Sequence, residues 1–344
     1  MFNIKLLPLA SGVMLSACAQ SPSSVSYAPE PEPQIASLSM SKLALDPVYS
    51  SNVVVTTFNV GAGNCQVVSC PKTKRLIVND CGTSGVANGL SGAEAADAIG
   101  EIKTKISATS QYLTVSHPDT DHLSYIDDIV GKIGKFDAGY FGGLEGRWTG
   151  SKLATAKDAT DTRTFYSSAQ TIKASISNLS CSSDNMSTWI LAVGYGSTSN
   201  SESLVQVSKV GTGSLFYFTG DMQGATEAPI ITNLENTYYT GLGDVTTVKE
   251  RIMTGAHHGA DTLGSNSAEW AAATKPTSVI FSAGTRHNHP RCNAVNVYTT
   301  ITKDIGDQHD FRCGDSSGYG ITEETKEDKW LTYTNGTIQT RLDP

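Results

Sequence analysis

Long apolar runs, clusters of basic residues and closely spaced cysteine pairs are all missing from this sequence of 344 residues. A helix needs about 20 consecutive apolar residues to cross a bilayer, so no spanning helix is predicted. The net charge of −8 and the lack of a Lys/Arg cluster argue against broad, non-specific contact with nucleic acid. The lack of a CxxC pair argues against zinc held by cysteines.

The composition that remains is typical of a globular protein, with 39% hydrophobic and 17% charged residues. The length leaves room for one large domain or two small ones. Strand-type runs are mixed with helical runs, and no internal repeat of fixed period is present. This pattern favours layered α/β structure in one domain.

The N-terminus has the pattern of a signal peptide over residues 1–17, with a basic start and an apolar stretch from Leu6 to Leu15. The following Ser16-Ala17-Cys18 resembles the lipobox of bacterial lipoproteins, which implies cleavage before Cys18 and a lipid on its thiol. The alternative is an ordinary secretory signal. Ala19 after the cysteine suggests sorting to the outer membrane. Localisation in the cell envelope or secretion is therefore expected, and residues 18–50, rich in Ser, Pro and Ala, are predicted to be a flexible tether.

Six cysteines remain after Cys18, and an even number in an oxidising compartment predicts disulfides. Their spacing leaves the pairing open. Cys292 and Cys313 bracket one C-terminal segment and are the preferred pair.

Regular structure is predicted from the alternation of apolar runs and turn residues. An antiparallel meander is expected over residues 53–60, 65–69 and 75–80. Residues 134–200 are predicted to elaborate the core and to shape a cleft, with a helix at 169–179 and a strand at 189–193. A hairpin is expected around Asn335-Gly336.

One short segment, from Leu113 to His122, carries an unusual density of metal-ligand side chains. A buried strand is predicted to end at Val115, and Pro118 prevents its easy continuation. Imidazoles and carboxylates together suit zinc, manganese or iron. The candidate ligands within six residues are His117, Asp119, Asp121 and His122.

Other predicted strands also end in polar side chains that could reach the same site. Asp80 ends one strand, Asp221 another, and the pair His257-His258 a third, while residues 282–289 follow a fourth. Rigid elements that deliver ligands from separate strand ends are how a two-ion site is built. We therefore expect these ends to converge.

These motifs together resemble the metallo-β-lactamase superfamily, whose hallmark is an HxHxDH loop. Here Asp119 stands at the second His position. With Phe58–Cys65, Ser203–Val205, Phe218–Asp221 and His257-His258-Gly259, the pattern is most similar to the hydrolase domain of the DNA-uptake protein ComEC, over residues 53–297. The membrane-channel part of ComEC is absent. The resemblance implies a four-layer αββα sandwich, the metallo-β-lactamase fold, within residues 51–344.

The resemblance also implies a site with two divalent metal ions, zinc or manganese. His117 and Asp119 would bind the first ion, while Asp121 and His122 would bind the second. Asp221 would bridge the ions. The remaining implied positions are His257, completing the second ion's ligands, and His258 and His289, with catalytic roles beside Asp121.

Two features depart from the superfamily pattern or stay open. No His occurs in residues 198–202, where the superfamily has a ligand, so water or Asn200 would fill that position. Asp119 in place of His favours a harder metal such as manganese. Asp80 is expected either to cap the end of its strand or to orient a metal ligand.

The function implied by the resemblance is hydrolysis by a metal-activated hydroxide, with a phosphodiesterase or nuclease outside the cytoplasm as the leading hypothesis. The substrate would be a small-molecule or nucleic-acid phosphodiester. The alternatives are a carboxylic-ester, lactone or amide hydrolase on the same site, and a non-catalytic metal-binding surface lipoprotein. The expected partner is the membrane, through a lipid on Cys18. No stable protein partner is predicted.

Overall fold

The computed structural model describes residues 51–302, 309–315, 318–325 and 329–344. The predicted signal peptide and the predicted tether, residues 1–17 and 18–50, lie outside these ranges. No helix among the described residues is long and apolar enough to cross a membrane.

The N-terminal half forms a seven-stranded sheet whose order is β15-β1-β2-β3-β4-β5-β6. The expected meander is present, because β1, β2 and β3 pair antiparallel, whereas β3 to β6 pair parallel. The strands are β1 Val53–Thr57, β2 Gly63–Cys70, β3 Arg75–Thr83, β4 Ser110–Val115, β5 Phe136–Leu144, β6 Thr160–Tyr166 and the C-terminal β15 Ile338–Leu342. The helices of this half are α1 Gly92–Lys105, α2 Thr120–Leu123, α3 Ile126–Ile133 and α4 Gly150–Ala159.

The C-terminal half forms a six-stranded sheet whose order is β14-β11-β10-β9-β8-β7. Strands β9, β10, β11 and β14 pair parallel. The strands are β7 Met186–Ala192, β8 Val205–Val210, β9 Ser214–Phe218, β10 Glu250–Thr254, β11 Ser278–Phe281 and β14 Lys329–Leu331. The helices are α5 Gly224–Glu235, α6 Ala268–Thr274, α7 Cys292–Thr299 and α8 Thr332–Asn335, and a separate pair consists of β12 His309–Gly314 and β13 Tyr319–Thr325.

Alternating side chains divide the apolar residues of each strand between two cores. Val53 and Val55 join the core between the sheets, whereas Val54 joins the core under the helices of the first half. Within Leu215–Phe218 the two phenylalanines face the other sheet, and the other two residues face α5, α6 and α7. A period of two places successive side chains on opposite faces of a strand. Three cores between four layers confirm the predicted αββα sandwich.

Three details differ from the sequence-based expectation. The expected hairpin at Asn335-Gly336 is wrong, because Thr332–Asn335 is helical and the flanking strands belong to different sheets. The helix expected at 169–179 is also wrong: that segment is extended, with a bridge from Gln170 to Val193 and one 3-10 turn at Ser177–Leu179. The stretch 134–200, expected to elaborate the core, supplies β5, β6 and β7 to the two sheets.

Three disulfides connect the six described cysteines. Cys292 bonds to Cys313, as predicted. The other two are Cys65–Cys81 and Cys70–Cys181. Cys70–Cys181 links residues 111 positions apart, which no local spacing could have indicated.

Candidate metal centre

The segment between β4 and α3 delivers its ligand-type side chains into the buried space between the sheets. His117 follows β4 directly, and Asp121 and His122 lie in the short helix α2. Both histidines are fully buried. Gly82 of β3 packs against this segment so closely that a Cβ there would lie 2.5 Å from the carbonyl oxygen of Thr120. The end of β3 therefore fixes the position of α2.

Four side chains form a tight group, in which one donor atom from each lies within 4.8 Å of the others: Asp121, His122, Asp221 and His258. Asp221 Oδ1 lies 3.0 Å from His122 Nε2 and 3.4 Å from His258 Nε2. Asp121 Oδ2 lies 3.6 Å from the same His258 atom. Two ligand atoms bound tetrahedrally to one zinc ion are about 3.4 Å apart. The spacing of this group, called the His122 side below, fits one divalent ion.

The hydrogen bonding of these donor atoms also fits an ion. Among the described residues, His122 Nε2, Asp221 Oδ1 and His258 Nε2 are buried without a hydrogen-bond partner. Buried polar atoms are normally paired, and an unpaired one is costly. His122 Nε2 and Asp221 Oδ1 lie 3.0 Å apart without hydrogen-bond geometry, so a shared cation would satisfy both atoms. The donor set of imidazoles and carboxylates suits zinc or manganese.

A second group surrounds the other oxygen of Asp221 and is called the His117 side below. His117 Nε2 lies 3.5 Å from Asp119 Oδ2 and 3.9 Å from Asp221 Oδ2. His257 Nε2 lies 3.6 Å from that same oxygen of Asp221. Asn200 adjoins this group: its Nδ2 is 2.9 Å from His257 Nε2 and 3.4 Å from Asp221 Oδ2. Asp221 thus faces both groups, as a bridging carboxylate would.

The structure exchanges the expected places of the two late histidines. His258, expected in a catalytic role, lies in the tight group, whereas His257, expected to complete that group, faces the His117 side. The cause is the backbone, since both residues have left-handed φ angles, +50° for His257 and +55° for His258. Two successive left-handed residues turn neighbouring side chains to different sides of the site. Nothing in the sequence signals this conformation.

Hydrogen bonds from outside the group fix the orientation of its imidazoles. Asp80 Oδ2 lies 2.9 Å from His122 Nδ1, and Asp80 Oδ1 accepts the backbone N–H of Ser116. His258 Nδ1 lies 2.7 Å from the carbonyl oxygen of Ser282, to which it donates. A partner at Nδ1 leaves Nε2 free for a metal, which is the usual arrangement at metal sites. Of the two roles left open for Asp80, the structure favours orienting a ligand.

The charges of the site stabilise one another strongly. Burial raises the pKa of Asp221, but the imidazoles of His122, His258 and His257 lower it more, so the pKa is well below its ordinary value. Burial lowers the pKa of His122, but Asp221 and Asp80 raise it well above its ordinary value. The pKa of Asp121 is also lowered: burial raises it, but the neighbouring imidazoles of His258 and His122 outweigh that effect. The carboxylates are therefore ionised and ready to bind cations.

A cleft of about 400 Å³ opens directly over both groups. Its polar rim comes from the segment after β11, in which Arg286 and His287 are exposed and His289 and Arg291 are half-buried. His289, the third expected catalytic residue, stands apart from the tight group, with its ring centroid 6.5 Å from that of His258. Burial and the neighbouring His258 lower the pKa of His289 to about 3, so its imidazole is neutral at neutral pH.

Sequence reasoning missed the residues that hold Asp119. Ser199 Oγ donates to Asp119 Oδ1 at 2.9 Å, and Lys152 Nζ lies 3.9 Å from the same oxygen. The loop that carries Ser199 and Asn200 is fixed by Glu202, a buried carboxylate that pairs with Arg147 at 2.8 Å. Serines and exposed lysines are common in loops, so only the fold shows that these ones face the site.

Comparison with known proteins finds similarity at the level of structure. No protein-family model matches the chain, and no curated protein matches it. A metallo-β-lactamase from Hirschia baltica is similar, with 13% identity and a TM-score of 0.32, over 54% of this chain and 80% of its own. The DIM-1 metallo-β-lactamase is similar too, with 12% identity and a TM-score of 0.35, over 65% of this chain and 91% of its own.

Proposed function

We propose that this protein is a metal-dependent hydrolase whose substrate is a phosphodiester. The observation that carries the proposal is the group of His and Asp donor atoms that lie buried, unpaired and about one ligand-to-ligand distance apart at the bottom of a cleft. Such a donor set has no evident structural purpose without a cation, because unpaired buried polar atoms destabilise a fold.

The residues of the site would have two roles: some would bind the ions, and others would orient the ligands. The His122 side would hold one ion and the His117 side the other, with Asp221 shared. Asp80 and the carbonyl of Ser282 keep the imidazoles of His122 and His258 in the required orientation. Bound divalent ions supply an acidified water as nucleophile and stabilise negative charge in the transition state.

The rim of the cleft supports an anionic substrate. Arg286 and Arg291 line the cleft across from the carboxylates of the site. Guanidinium groups recognise phosphate through paired, charge-assisted hydrogen bonds. His289, as a neutral imidazole, would offer a hydrogen bond to a substrate oxygen or leaving group. With a net charge of −8, the protein fits a small phosphodiester or a strand end better than a long duplex.

An extracytoplasmic location belongs to the same proposal. Three disulfides suit an oxidising compartment. A lipid on Cys18 would tether the domain to the membrane, in keeping with the sequence pattern around that residue.

A substrate panel tests the proposal. Metal-free protein is reloaded with Mn²⁺ or Zn²⁺ and assayed with bis(p-nitrophenyl) phosphate, a carboxylic ester and a lactone. We expect turnover of the phosphodiester alone, and a loss of about tenfold or more in kcat/KM for Arg286→Ala. Arg341→Ala is the control, because Arg341 is an exposed arginine paired with Asp343 on β15.

Other outcomes identify the alternatives. Turnover of the ester or lactone alone contradicts the phosphodiester assignment and indicates a carboxylic-ester or lactone hydrolase. Stoichiometric metal without turnover of any substrate contradicts the hydrolase assignment and indicates a non-catalytic metal-binding protein.

A further inference from the structure

The turn that presents His257 and His258 has a backbone that its own sequence does not favour. Both histidines are left-handed, and Gly259 follows with a φ of +85°. Residues other than glycine avoid this region because Cβ approaches the following carbonyl oxygen. Such conformations persist only where the surroundings determine them. Something outside the turn must therefore hold it.

Asn266 makes three side-chain hydrogen bonds to the turn, beside the backbone bonds from His257 N–H to the carbonyl of Gly220 and from Arg291 N–H to the carbonyl of Gly259. Its side-chain Oδ1 accepts the backbone N–H of Ala256 at 3.0 Å. Its Nδ2 donates to the carbonyl oxygens of Ala256 and Ala260, each at 2.8 Å. One buried amide thus joins the residue before the histidine pair to the second residue after it. An amide is the side chain that accepts and donates at once with this geometry.

The position of Asn266 is itself fixed from two helices. Its backbone N–H donates to Glu227 of α5 at 2.8 Å, and its Oδ1 also accepts the hydroxyl of Tyr298 of α7 at 2.9 Å. Glu227, Asn266 and Tyr298 are all buried. Asn266 itself lies two residues before α6. The three outer helices of the second half therefore meet at the back of the histidine turn.

We propose that Asn266 is a positioning residue of the metal centre: it sets the left-handed turn that sends His258 to the His122 side and His257 to the His117 side. The consequence for metal affinity rests on the proposed function, whereas the effect on the geometry of the turn does not. A purely structural role would make Asn266 one more satisfied buried amide, with no special effect on the histidines.

The test compares two neighbouring substitutions. Asn266→Ser shortens the side chain and removes the amide that spans the turn. Ser267→Ala is the matched control, because Ser267 Oγ accepts the N–H of Trp270 at the start of α6 and has no contact with the turn. Tyr298→Phe removes one donor to Asn266 with almost no change in volume. If Asn266→Ser does not fold, Tyr298→Phe is used as the test variant instead.

Two readouts are measured, and the variants are compared under conditions in which they have lost the same amount of thermal stability. The first is the NMR signal of the His258 Nδ1–H in metal-free protein, which the bond to Ser282 protects from exchange. The second is the affinity for Zn²⁺ by competition with a chelator. We expect Asn266→Ser to lose the NMR signal and to bind Zn²⁺ about tenfold or more weakly. Tyr298→Phe should show a smaller change in the same direction. Ser267→Ala should keep both the signal and the Zn²⁺ affinity of the wild type.

The proposal is overturned when Asn266→Ser, or Tyr298→Phe in its place, keeps the His258 signal and binds Zn²⁺ as tightly as Ser267→Ala. A wild-type protein that binds no metal contradicts the proposed function. In that case the NMR signal still decides whether Asn266 positions the turn.

Discussion

The two sides of the candidate centre share Asp221 but differ in the burial of their ligands and in the distances between ligand atoms. On the His122 side, His122 and His258 are almost fully buried, and each has a partner that fixes its ring. On the His117 side, His117 is fully buried, but the side chain of Asp119 is 36% exposed and that of His257 is 20% exposed, against 22% for Asp121 on the other side. Ligand atoms there lie 3.5 to 3.9 Å apart, against 3.0 to 3.6 Å on the other side. Preorganised ligands bind metals more tightly, so we expect the His122 side to bind its ion first.

The difference follows from how each side is connected to the fold. Asp80, at the end of the central strand β3, holds His122 while also accepting the N–H of Ser116. Asp119 is held by Ser199 and Lys152, which belong to a loop and to the exposed face of α4. Sites supported by strands are more rigid than sites supported by loops.

The largest effect is expected from Asp221→Asn, which removes the charge that both sides share. The amide keeps the shape of the carboxylate but cannot bridge two cations. We expect the metal content after desalting to fall from near-stoichiometric to background, and hydrolysis to fall by about a thousandfold or more. Metal analysis by mass spectrometry measures the first effect. Asp97→Asn, at an exposed ion pair with Lys132, is the control and should change neither quantity.

Asp80→Asn is expected to weaken metal binding on the His122 side only. The substitution removes the negative charge and replaces one of the two carboxylate oxygens by an NH2 group, so His122 Nδ1 and the N–H of Ser116 can no longer both keep their acceptor. Losing such a partner costs about 10- to 100-fold in metal affinity. We expect this loss for the tighter ion alone, in a chelator competition. Asp184→Asn is a matched control, because Asp184 is a buried carboxylate that accepts the N–H groups of Lys72 and Thr73 away from the site. Equal losses for both ions would contradict the assignment of Asp80 to the His122 side.

A further test of the difference between the two sides is Asn200→His, which places an imidazole where the His117 side has an amide. We expect the weaker ion to bind about tenfold more tightly, with little change in the tighter one, because an imidazole is a better ligand for transition metals than an amide. Calorimetric titration measures both constants. A histidine at Ser197, in the same loop, provides the control; an equal gain from it would show that an added imidazole acts non-specifically.

Glu227→Gln is expected to affect the metal centre least; its effect is on the pH dependence of the free energy of unfolding. Burial raises the pKa of Glu227 to about 7, although hydrogen bonds from Ser267 and Asn266 lower it. Since its folded-state pKa exceeds the unfolded value, its stabilising contribution is present below about pH 4.5 and is lost as the pH rises to about 7. We expect the unfolding free energy of the wild type to fall by about 2–4 kcal/mol relative to Glu227→Gln across this window.

Denaturant titrations from pH 4 to pH 8 measure this difference. Exposed Glu269, which lies near Glu227 and raises its pKa slightly, provides the control variant Glu269→Gln. A constant difference between wild type and Glu227→Gln over the window would contradict the raised pKa.

The sequence predicted those features that depend on local pattern. Alternating apolar residues indicated the meander of β1 to β3, and the density of ligands indicated the site after β4. Features that depend on residues distant in the chain could not be predicted from the local sequence pattern. The Asn335-Gly336 signal predicted a hairpin, but the residues on either side pair with different sheets. Strand β6 was missed because its exposed, polar positions at the edge of the sheet hide the apolar alternation. Strand β5 is mostly buried between β4 and β6, and it was missed because three glycines interrupt its apolar run.

Within the site, residue types were predicted better than residue roles. The predicted ligands lie close together, because strand ends of both sheets converge. The exchange between His257 and His258 depends on two left-handed residues, and that conformation is held by Asn266, which lies outside the recognised motifs. The sequence left two roles open for Asp80, and the parallel pairing of β3 with β4, which places Asp80 beside Ser116 and His122, favours the orienting role.

Titration of the metal-free protein with Mn²⁺ or Zn²⁺ in a calorimeter tests the central claim most directly. We expect two unequal binding events per chain, the tighter of which disappears in His122→Ala while the weaker disappears in His117→Ala. Absence of binding, or binding that neither substitution changes, would contradict a metal centre at these residues.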